Sequence, residues 1–519
     1  MIQRLVIALA ALTGPLPKAG VIVVAALAAL VLLTPDRRAR ALAMLGALVL
    51  SPVLLLAEIW RSPQLGIVHR HPLVAVVGGV LAVGVLVAAA GVLYRRPGLF
   101  APLAVLALPF RVPIESGGTT ANLLVPLYFV VAAGALAWVY GALRAPRVTA
   151  EGEGAGWRTD LTGWAERLLA LYIVLYAVQA TYSPDFVKAL QNTVFFYVPF
   201  ALLYRLLRDV PWTARLLRTC LLVTVVLAVI FSVVGFYEYA TKTILLNPKL
   251  VIQNDLHTYF TVNSFFFDPD IFGRYLAIVM ILLAVDLIYP RPRREQTWVT
   301  VVLAILWACL VLTLSRSSLG ALLVGMAVLA ALRWKPSRAL VVAVVVVAIG
   351  GLVVVVTPRT FGLNQGINGA SSGRGGLLSG GLSLFTDRPV WGFGSGSFST
   401  EYVRHHRHTA SSLSDSHTIP VTIAAEQGLI GELVYLAFVV VAIIGLVRSA
   451  RGDPVRSAIA AAFVALVFHT LLYADFLEDP TTWVLLAIGL ALARVPVPVA
   501  SAEDERAVSA AWGPAVARS

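Results

Sequence analysis

Residues 214–240 read ARLLRTCLLVTVVLAVIFSVVGFYEYA, and no charged residue stands between Arg218 and Glu238. A helix that crosses a bilayer needs about 20 predominantly apolar residues, so this stretch predicts a transmembrane helix. Similar apolar runs lie at 19–34, 41–60, 72–94, 119–143, 164–182, 185–207, 271–289, 298–314, 317–333, 338–357, 419–447, 457–474 and 480–495, with a shorter run at 99–110. We therefore expect an all-α polytopic membrane protein with roughly 12–15 transmembrane helices.

The composition excludes most other classes of protein. Of the 519 residues, 59% are hydrophobic and only 13% are charged, whereas a soluble protein carries about a quarter charged residues. This rules out a soluble enzyme, a secreted domain and a disordered chain. Cys220 and Cys309 lie inside apolar runs, so no disulfide framework is expected. We find no Walker or dinucleotide motif, and we expect no cofactor.

The basic residues indicate the orientation in the membrane. One set of connections holds 22 Lys and Arg, and the other holds 7. Because cytoplasmic connections are enriched in Lys and Arg, the first set is expected to be cytoplasmic. It comprises 34–40, 94–98, 144–167, 204–218, 291–296, 333–338 and 447–456. The outer set comprises 61–71, 111–118, 183–188, 241–270, 315–317 and 475–479. The net charge of +13 is thus mostly a topology signal, and no nucleic-acid partner is expected.

This topology divides the chain into five segments. Residues 1–240 and 241–357 hold the N-terminal and central transmembrane helices, and the central part includes the outer loop 241–270. Residues 358–418 form a long extracytoplasmic loop, and 419–495 hold the last transmembrane helices. Residues 496–519 are expected to be a disordered cytoplasmic tail. Seven of the eight histidines fall in the outer segments.

The long loop and the helix after it carry the densest group of polar motifs. Residues 371–431 read SSGRGGLLSGGLSLFTDRPVWGFGSGSFSTEYVRHHRHTASSLSDSHTIPVTIAAEQGLIG. The spacing of Leu377, Leu378, Leu382 and Phe385 predicts a short amphipathic helix. The three alternating glycines in 389–398 favour either a plain loop or a turn whose N–H groups form an anion-binding nest.

Two further residues of this stretch are candidates for function. His417 stands at the outer boundary of a predicted transmembrane helix, and Glu426 lies nine residues deeper. A carboxylate at that depth is expected to be paired or to face an aqueous cavity. A structural glutamate that forms hydrogen bonds beside small residues is the alternative for Glu426.

Arginines are also expected at the outer side. Arg316 stands between Ser315 and Ser317, and the alternative is an interfacial arginine that reaches the lipid headgroups. Arg274 lies one turn into a transmembrane helix, where it either faces a cavity or pairs with Asp268 or Asp270. With Arg374, these side chains suit a lipid-linked phosphate or diphosphate, because guanidinium groups bind phosphate in a bidentate manner.

A basic group of histidines precedes His417. His405, His406 and His408 stand within four residues. They favour a solvated basic face over a contact with an anionic glycan, and a metal site is the least favoured reading.

The segment His-x8-Glu-x-Gly-x2-Gly, with His417, Glu426, Gly428 and Gly431, resembles that of the O-antigen ligase and polymerase superfamily. Ser-Gly-Arg374, the run 388–398 and Ser-Arg316-Ser are similar to further motifs of that family, in the same order. The segment 268–276 is similar to its Pro-Asn-x4-Tyr-Leu element. The resemblance covers about 250–450.

The resemblance implies a metal-independent, inverting glycosyltransferase with a GT-C-like fold in the bacterial cytoplasmic (inner) membrane. Its donor would be a glycan on a polyprenyl diphosphate, and its acceptor a sugar hydroxyl on the extracytoplasmic side; membrane lipid is the remaining partner. His417 would be the catalytic base, and Arg316, Arg374 and Arg274 would bind the diphosphate. The supporting residues are Glu426, Arg388 and Asp415.

Two other functions stay open at this point. A lipid-linked glycan flippase or secondary transporter would share the many helices and the arginines. A non-catalytic membrane scaffold is the other alternative. Ligase and polymerase differ in their acceptor, and the sequence does not separate them.

Overall fold

The computed structural model describes residues 14–59, 70–116, 119–145, 160–245, 251, 254, 260–290, 292–334, 337, 341, 374–406 and 416–493. At residues 58, 59, 113–116, 119–122 and 374 the description covers the backbone alone. Outside the described residues lie the tail 496–519, Asp415 and His408. Of the predicted run 338–357, the structure describes residue 341 alone.

The described residues are mainly helical. The helices are α1 (Pro15–Leu33), α2 (Arg37–Ile59), α3 (Pro72–Arg95), α4 (Phe100–Ala107), α5 (Val125–Arg144), α6 (Leu161–Ala180), α7 (Phe186–Asn192), α8 (Val198–Arg208), α9 (Ala214–Thr241), α10 (Pro269–Ile288), α11 (Arg293–Leu312), α12 (Arg316–Arg333), α13 (Arg374–Asp387), α14 (Phe398–His405), α15 (Ile419–Arg448), α16 (Pro454–Thr470) and α17 (Pro480–Ala493). A 3₁₀ turn (Pro97–Leu99) precedes α4, and a π-helical turn (Thr193–Tyr197) joins α7 to α8.

The described part of the chain contains 11 helices that are long and apolar enough to cross a membrane. They are α1, α2, α3, α5, α6, the continuous α7–α8, α9, α10, α11, α12 and α15. Three shorter apolar helices accompany them: α4 with its preceding turn, α16 and α17. The expectation of an all-α polytopic membrane protein is confirmed.

One short region differs from the predicted pattern. Strands β1 (Val112–Ser116) and β2 (Thr119–Leu123) form an antiparallel hairpin, in which Val112 lies opposite Leu123. The predicted transmembrane run 119–143 therefore starts late, because its helix begins at Val125. Pro126 lies in the first turn of that helix, where a proline is tolerated, since the first N–H groups of a helix have no intrahelical partner.

Small residues bring the central helices together. A side chain at Gly273 of α10 would come within 2.7 Å of the Ser318 hydroxyl of α12, and one at Gly325 of α12 within 2.2 Å of Ile281. Close approach through small residues is the usual way in which membrane helices associate. It places the N-terminal end of α12 directly against the N-terminal end of α10.

Candidate active site

The glycine-rich segment 389–398 is locked onto the first turns of α15 by backbone hydrogen bonds. The Gly394 N–H donates to the Glu426 carbonyl at 2.7 Å, and the Leu429 N–H donates to the Pro389 carbonyl at 2.7 Å. The helix is kinked between these two contacts, at Gly428, whose φ and ψ are 65° and −165°. The kink gives the loop access to backbone groups that a regular helix would use internally.

The Glu426 carboxylate fills the turn formed by this segment. It accepts hydrogen bonds from the backbone N–H groups of Gly396 at 2.8 Å and Phe398 at 3.0 Å. The predicted nest therefore exists, but it holds the protein's own carboxylate rather than a ligand. This arrangement supports the structural alternative for Glu426, because the backbone donors offset the cost of burying its charge.

Two positions in this contact require glycine. A Cβ atom at Gly392, where φ is +66°, would lie 2.3 Å from the Glu426 carbonyl carbon and oxygen. A Cβ atom at Gly428 would lie 2.3 Å from the Val390 oxygen. Both positions combine a left-handed backbone with a close approach to another backbone segment, which only glycine accommodates without strain.

His417 is held just before α15. Its φ is 57°, a left-handed conformation that few residues adopt. The Ser416 hydroxyl donates to the Thr418 carbonyl at 2.7 Å, and the Thr418 hydroxyl donates to the Leu471 carbonyl at 3.2 Å. The segment is thereby tied to the residues that follow α16, and the imidazole faces Tyr473.

Tyr473 lies at the centre of the polar residues at this end of the bundle. Its ring centroid is 5.8 Å from that of His417 and 5.6 Å from that of His469. The Arg274 guanidinium carbon lies 5.9 Å from the same ring, and the Tyr473 hydroxyl faces Asp268 as a hydrogen-bond donor. We call these five residues the Tyr473 cluster, and the end of the bundle that carries it the cavity end.

Burial changes the acidity of two members of this cluster. Burial, together with the nearby charge of Asp270, raises the pKa of the Asp268 carboxyl to about 6. Burial and the charges of Asp268, Asp475 and Asp270 raise the pKa of the Tyr473 phenol well above its usual value. The phenol therefore keeps its proton at neutral pH and stays a hydrogen-bond donor.

Arg274 is paired, but not with the residues that the sequence indicated. Its guanidinium forms a buried ion pair with Asp479 at 2.7 Å and donates to the Asp475 carbonyl at 3.4 Å. The expected partners, Asp268 and Asp270, are closer in sequence, but Asp479, in the connection between α16 and α17, is the residue that reaches Arg274. Arg274 is thus paired, but with a residue other than the two expected, and it also lines a small cavity.

Asp270 belongs instead to a group of serines at the start of α12. Its carboxylate accepts hydrogen bonds from Ser315 and, at 3.0 Å, from Ser317. The hydroxyls of Ser317 and Ser318 each lie 3.2 Å from Nε2 of His469. His469 is fully buried, and this network connects the serines to the Tyr473 cluster.

The described residues also enclose a cavity of about 130 Å³ beside this cluster. Its polar walls include Arg111, Lys188, Asn192, Glu426, Gln427, Asp475 and Glu478. Arg111 also lines a second cavity of about 20 Å³, next to Arg274 and Asp479. The cavity end therefore combines cations and carboxylates around a space that a small polar group can enter.

Comparison with known proteins adds one finding. The family model described as O-antigen ligase matches residues 301–436. The chain carries an O-antigen ligase domain. This match supports the family that the sequence motifs resemble, and that family generally carries out glycosyl transfer of the O-antigen ligase or polymerase type. No curated protein matched the chain in a sequence search.

The O-antigen ligase domain supplies only part of the Tyr473 cluster. Of the five residues, only His417 lies within residues 301–436, together with Glu426 and the serines of α12 outside the cluster. Asp268 and Arg274 precede the domain, and His469 and Tyr473 follow it. Sequence reasoning missed His469, Tyr473, Arg111 and Lys188. A histidine inside an apolar run was the available indication for His469, since ionisable residues in transmembrane segments are mostly functional.

The other predicted site residues are not all in contact with the cluster. Arg316 begins α12 next to the serines, and its side chain is exposed. Arg388 is exposed and lies over the Phe393 ring at 4.6 Å. The side chain of Arg374 and all of Asp415 lie outside what the structure describes, so their place in the site stays a prediction.

His405 and His406 bind carbonyl groups of α14. His405 Nδ1 lies 2.8 Å from the Glu401 carbonyl, and His406 Nδ1 lies 3.2 Å from the Tyr402 carbonyl. Among the described residues, no group of three or more His, Cys, Asp or Glu is arranged to hold a metal ion. Both contacts agree with a solvated helix face.

Proposed function

We propose that this O-antigen ligase-like protein transfers a glycan from a polyprenyl-diphosphate donor to a sugar hydroxyl acceptor, without a metal and with inversion at the anomeric carbon. The observation that carries the proposal is the position of His417. Its ring lies 5.8 Å from that of Tyr473, which the Arg274 guanidinium also approaches, and it lies within the residues that match the family model.

His417 acts as the base. The nitrogen of a neutral imidazole that carries no hydrogen can accept a proton, which suits histidine to this role. It takes the proton of the acceptor hydroxyl while the acceptor oxygen attacks the anomeric carbon. The bond between that carbon and the diphosphate oxygen breaks, and the leaving diphosphate keeps the electron pair. Displacement in one step from the opposite face inverts the configuration.

The cations stabilise the leaving group. Arg316 and Arg374 bind the diphosphate, and fixed guanidinium groups stabilise the developing charge without reorganisation at the moment of reaction. Arg274 contributes differently, because its ion pair with Asp479 compensates its charge. It holds the Tyr473 cluster in place and adds a hydrogen-bonding face. Glu426 supports the site by fixing the loop 389–398, and Arg388 and Asp415 lie in the same loop region.

The reaction takes place at the outer face of the bacterial cytoplasmic membrane, and the C-terminus is cytoplasmic. This proposal is supported by the positions of Arg111, Lys188 and Asp475. They come from three connections of the less basic set, 111–118, 183–188 and 475–479, and they meet at one cavity. The more basic connections 34–40 and 204–218 meet through Arg40 and Asp209.

Glycan transfer by purified protein tests the proposal. The protein in detergent is given a synthetic polyprenyl-diphosphate glycan and an acceptor in the presence of EDTA. We expect product from the wild type and none from His417→Ala, and weaker donor binding by Arg316→Gln. Product from His417→Ala at the wild-type rate would overturn the role of His417. Transport of the donor into vesicles with no bond formed would indicate a flippase instead.

A further inference from the structure

The cavity of about 130 Å³ has an aromatic wall that the proposed chemistry does not use. Tyr172, Tyr176 and Tyr197 are buried and lie against one another, with ring centroids between 4.7 and 6.4 Å apart. Tyr435 adds a fourth ring at 6.2 Å from Tyr172. All four residues line the cavity. Four tyrosines give it broad apolar faces with hydroxyls at their edges.

The polar groups of this wall are held in fixed positions. The Asn192 amide donates to the Tyr176 hydroxyl at 2.9 Å, and the Gln427 amide donates to the Tyr172 hydroxyl at 3.0 Å. Because each amide nitrogen is bound to a phenol oxygen, the direction of each side chain is set before any ligand arrives. A preformed wall lowers the entropic cost of binding.

One acceptor of this wall is unsatisfied. Oε1 of Gln427 is buried and has no hydrogen-bond partner among the described residues, and the residue is 1% exposed. Buried acceptors are nearly always paired, so this oxygen is open to a donor such as a water molecule or a ligand hydroxyl. A hydroxyl group supplies such a donor.

The charges of the cavity argue against a strongly ionic ligand. Arg111 and Lys188 share the wall with Glu426, Glu478 and Asp475, so neither sign prevails. Glu426 is already bound to backbone N–H groups, and Glu478 accepts from the Tyr197 hydroxyl at 3.1 Å. A neutral molecule with hydroxyls at its edge and C–H groups on its face fits both the amides and the tyrosine rings.

We infer that this cavity binds one sugar ring of a glycan substrate, with Gln427 as a specificity-determining residue. The inference rests on the proposed glycosyl transfer and adds where a sugar is recognised. The volume corresponds to a few water molecules, which suits a single ring rather than a chain. The ring comes from the donor glycan or from the acceptor glycan, and the kinetic test below distinguishes the two.

Binding of simple sugars tests the cavity without any catalysis. Saturation-transfer NMR on the full-length protein in detergent uses a panel of methyl pyranosides as probes. We expect at least one of them to bind the wild type, and Gln427→Met to weaken that binding about tenfold, since a buried hydroxyl then lacks its partner. The control Gln296→Met, at the start of α11, is expected to bind like the wild type.

A second variant protects this test from a folding defect. Tyr172→Phe removes the hydroxyl that orients the Gln427 amide and keeps the ring, and we expect sugar binding to weaken at least threefold. Equal binding by the wild type, Gln427→Met and Tyr172→Phe would overturn the inference. The absence of pyranoside binding to the wild type would also overturn it and would leave water as the occupant.

Kinetics then identify the source of the sugar. Gln427→Met is expected to raise the KM of one substrate about tenfold, donor or acceptor, with kcat changed less than threefold. Transfer that requires His417 but shows no KM change in Gln427→Met would remove the sugar site and leave the proposed function intact. Pyranoside binding that depends on Gln427, in a protein that transfers no glycan, would keep the sugar site and remove the proposed function.

Discussion

Two buried charge networks lie at opposite ends of α6 and α7–α8, and they are built differently. At the end away from the cavity, each carboxylate is paired with arginine. Arg208 binds Glu166 at 2.9 Å, Arg205 binds Asp209 at 2.7 Å, and Arg40 approaches Asp209 at 3.4 Å. Such mutual pairing compensates the charges within the protein.

At the cavity end, most carboxylates are bound to neutral groups. Asp270 accepts from serine hydroxyls, Glu426 accepts from backbone N–H groups, and Asp268 faces a phenol. Arg274 and Asp479 form an ion pair there, and this pair borders a cavity. Buried charge alone therefore does not mark an active site. Carboxylates held by hydroxyl and backbone N–H donors, beside histidines and a cavity, are the more informative feature.

The largest effect is expected from His417→Ala. Removal of a general base typically lowers the rate about 10²–10⁴-fold, and we expect glycan transfer to fall by that factor while the protein still folds. Transfer by purified protein measures it. His405→Ala is the matched control, because that imidazole binds its own helix. A smaller loss in His417→Ala than in the control would contradict the assignment of the base.

Replacing the arginine of one buried ion pair in each network tests whether the two networks have different roles. Arg208→Met and Arg274→Met each leave a buried carboxylate without its partner, which costs about 3–5 kcal/mol of unfolding free energy. Denaturant unfolding in mild detergent measures this cost. Both variants are expected to lose stability to a similar extent.

The double variants sharpen this test. Arg208→Met/Glu166→Gln and Arg274→Met/Asp479→Asn each remove the uncompensated charge, so most of the stability is expected to return. Only the first is expected to transfer glycan at the wild-type rate. Full activity of Arg274→Met/Asp479→Asn would mean that the pair at the cavity end is as purely structural as its counterpart.

The stability of the protein is expected to depend on pH through Asp268. The folded protein keeps the Asp268 proton up to about pH 6, whereas the ordinary pKa of an aspartate is 3.8. The stability that this group contributes is therefore present below pH 4 and is lost as pH rises towards 6, by up to about 3 kcal/mol. Asp268→Asn stays neutral and still caps α10, so we expect it to be more stable than the wild type at pH 8.

Thermal unfolding at pH 5 and pH 8 measures this difference. The gain from Asp268→Asn should be larger at pH 8 than at pH 5, because the wild-type carboxyl is ionised at the higher pH. An equal gain at both values would show that the carboxyl is not held protonated. A loss at both values would instead mean that its negative charge stabilises the cluster.

A smaller effect is expected from Glu426→Gln. The glutamine amide presents a donor to one of the two backbone N–H groups, which is then left unpaired at a cost of about 2 kcal/mol. Glu432→Gln, on the same helix, is the control. Oε2 of Glu432 is buried without a hydrogen-bond partner among the described residues, so that change is expected to be neutral or stabilising. Thermal unfolding of the two variants shows whether the Glu426 carboxylate contributes more to stability than the Glu432 carboxylate.

The sequence predicts the helices well and the contacts between distant helices poorly. A run such as 214–240 predicts its own helix because length and apolarity are local properties. The hairpin 112–123 was missed, since two short strands have no comparable pattern. Near the hairpin, Pro126 was the local indication that the following helix starts at 125 rather than 119.

In the candidate site, too, the sequence predicts local motifs but not contacts between distant helices. His417 and Glu426 stand in a recognisable spacing, and a structural role for Glu426 was among the expected readings. The Asp479 partner of Arg274 was not predicted, because Asp479 lies in the connection after α16 and its position depends on how α16 packs against α10. His469 was missed for a similar reason: the packing of α16 against α12 places it beside serines that are about 150 residues away in sequence.

The smallest effect is expected from the double variant His405→Ala/His406→Ala. Both residues lie within the matched residues 301–436, yet their ring nitrogens bind carbonyls of α14. The stacking of His406 on Tyr402, with centroids 4.5 Å apart, is worth about 1 kcal/mol. We therefore expect the melting temperature to fall by a few degrees and glycan transfer to stay within twofold of the wild type. A shift of the wild-type melting temperature by zinc that disappears in the double variant would show a metal site instead. Loss of transfer without loss of stability would place these histidines with His417 among the groups that contact the glycan, and would extend the cavity end onto α14.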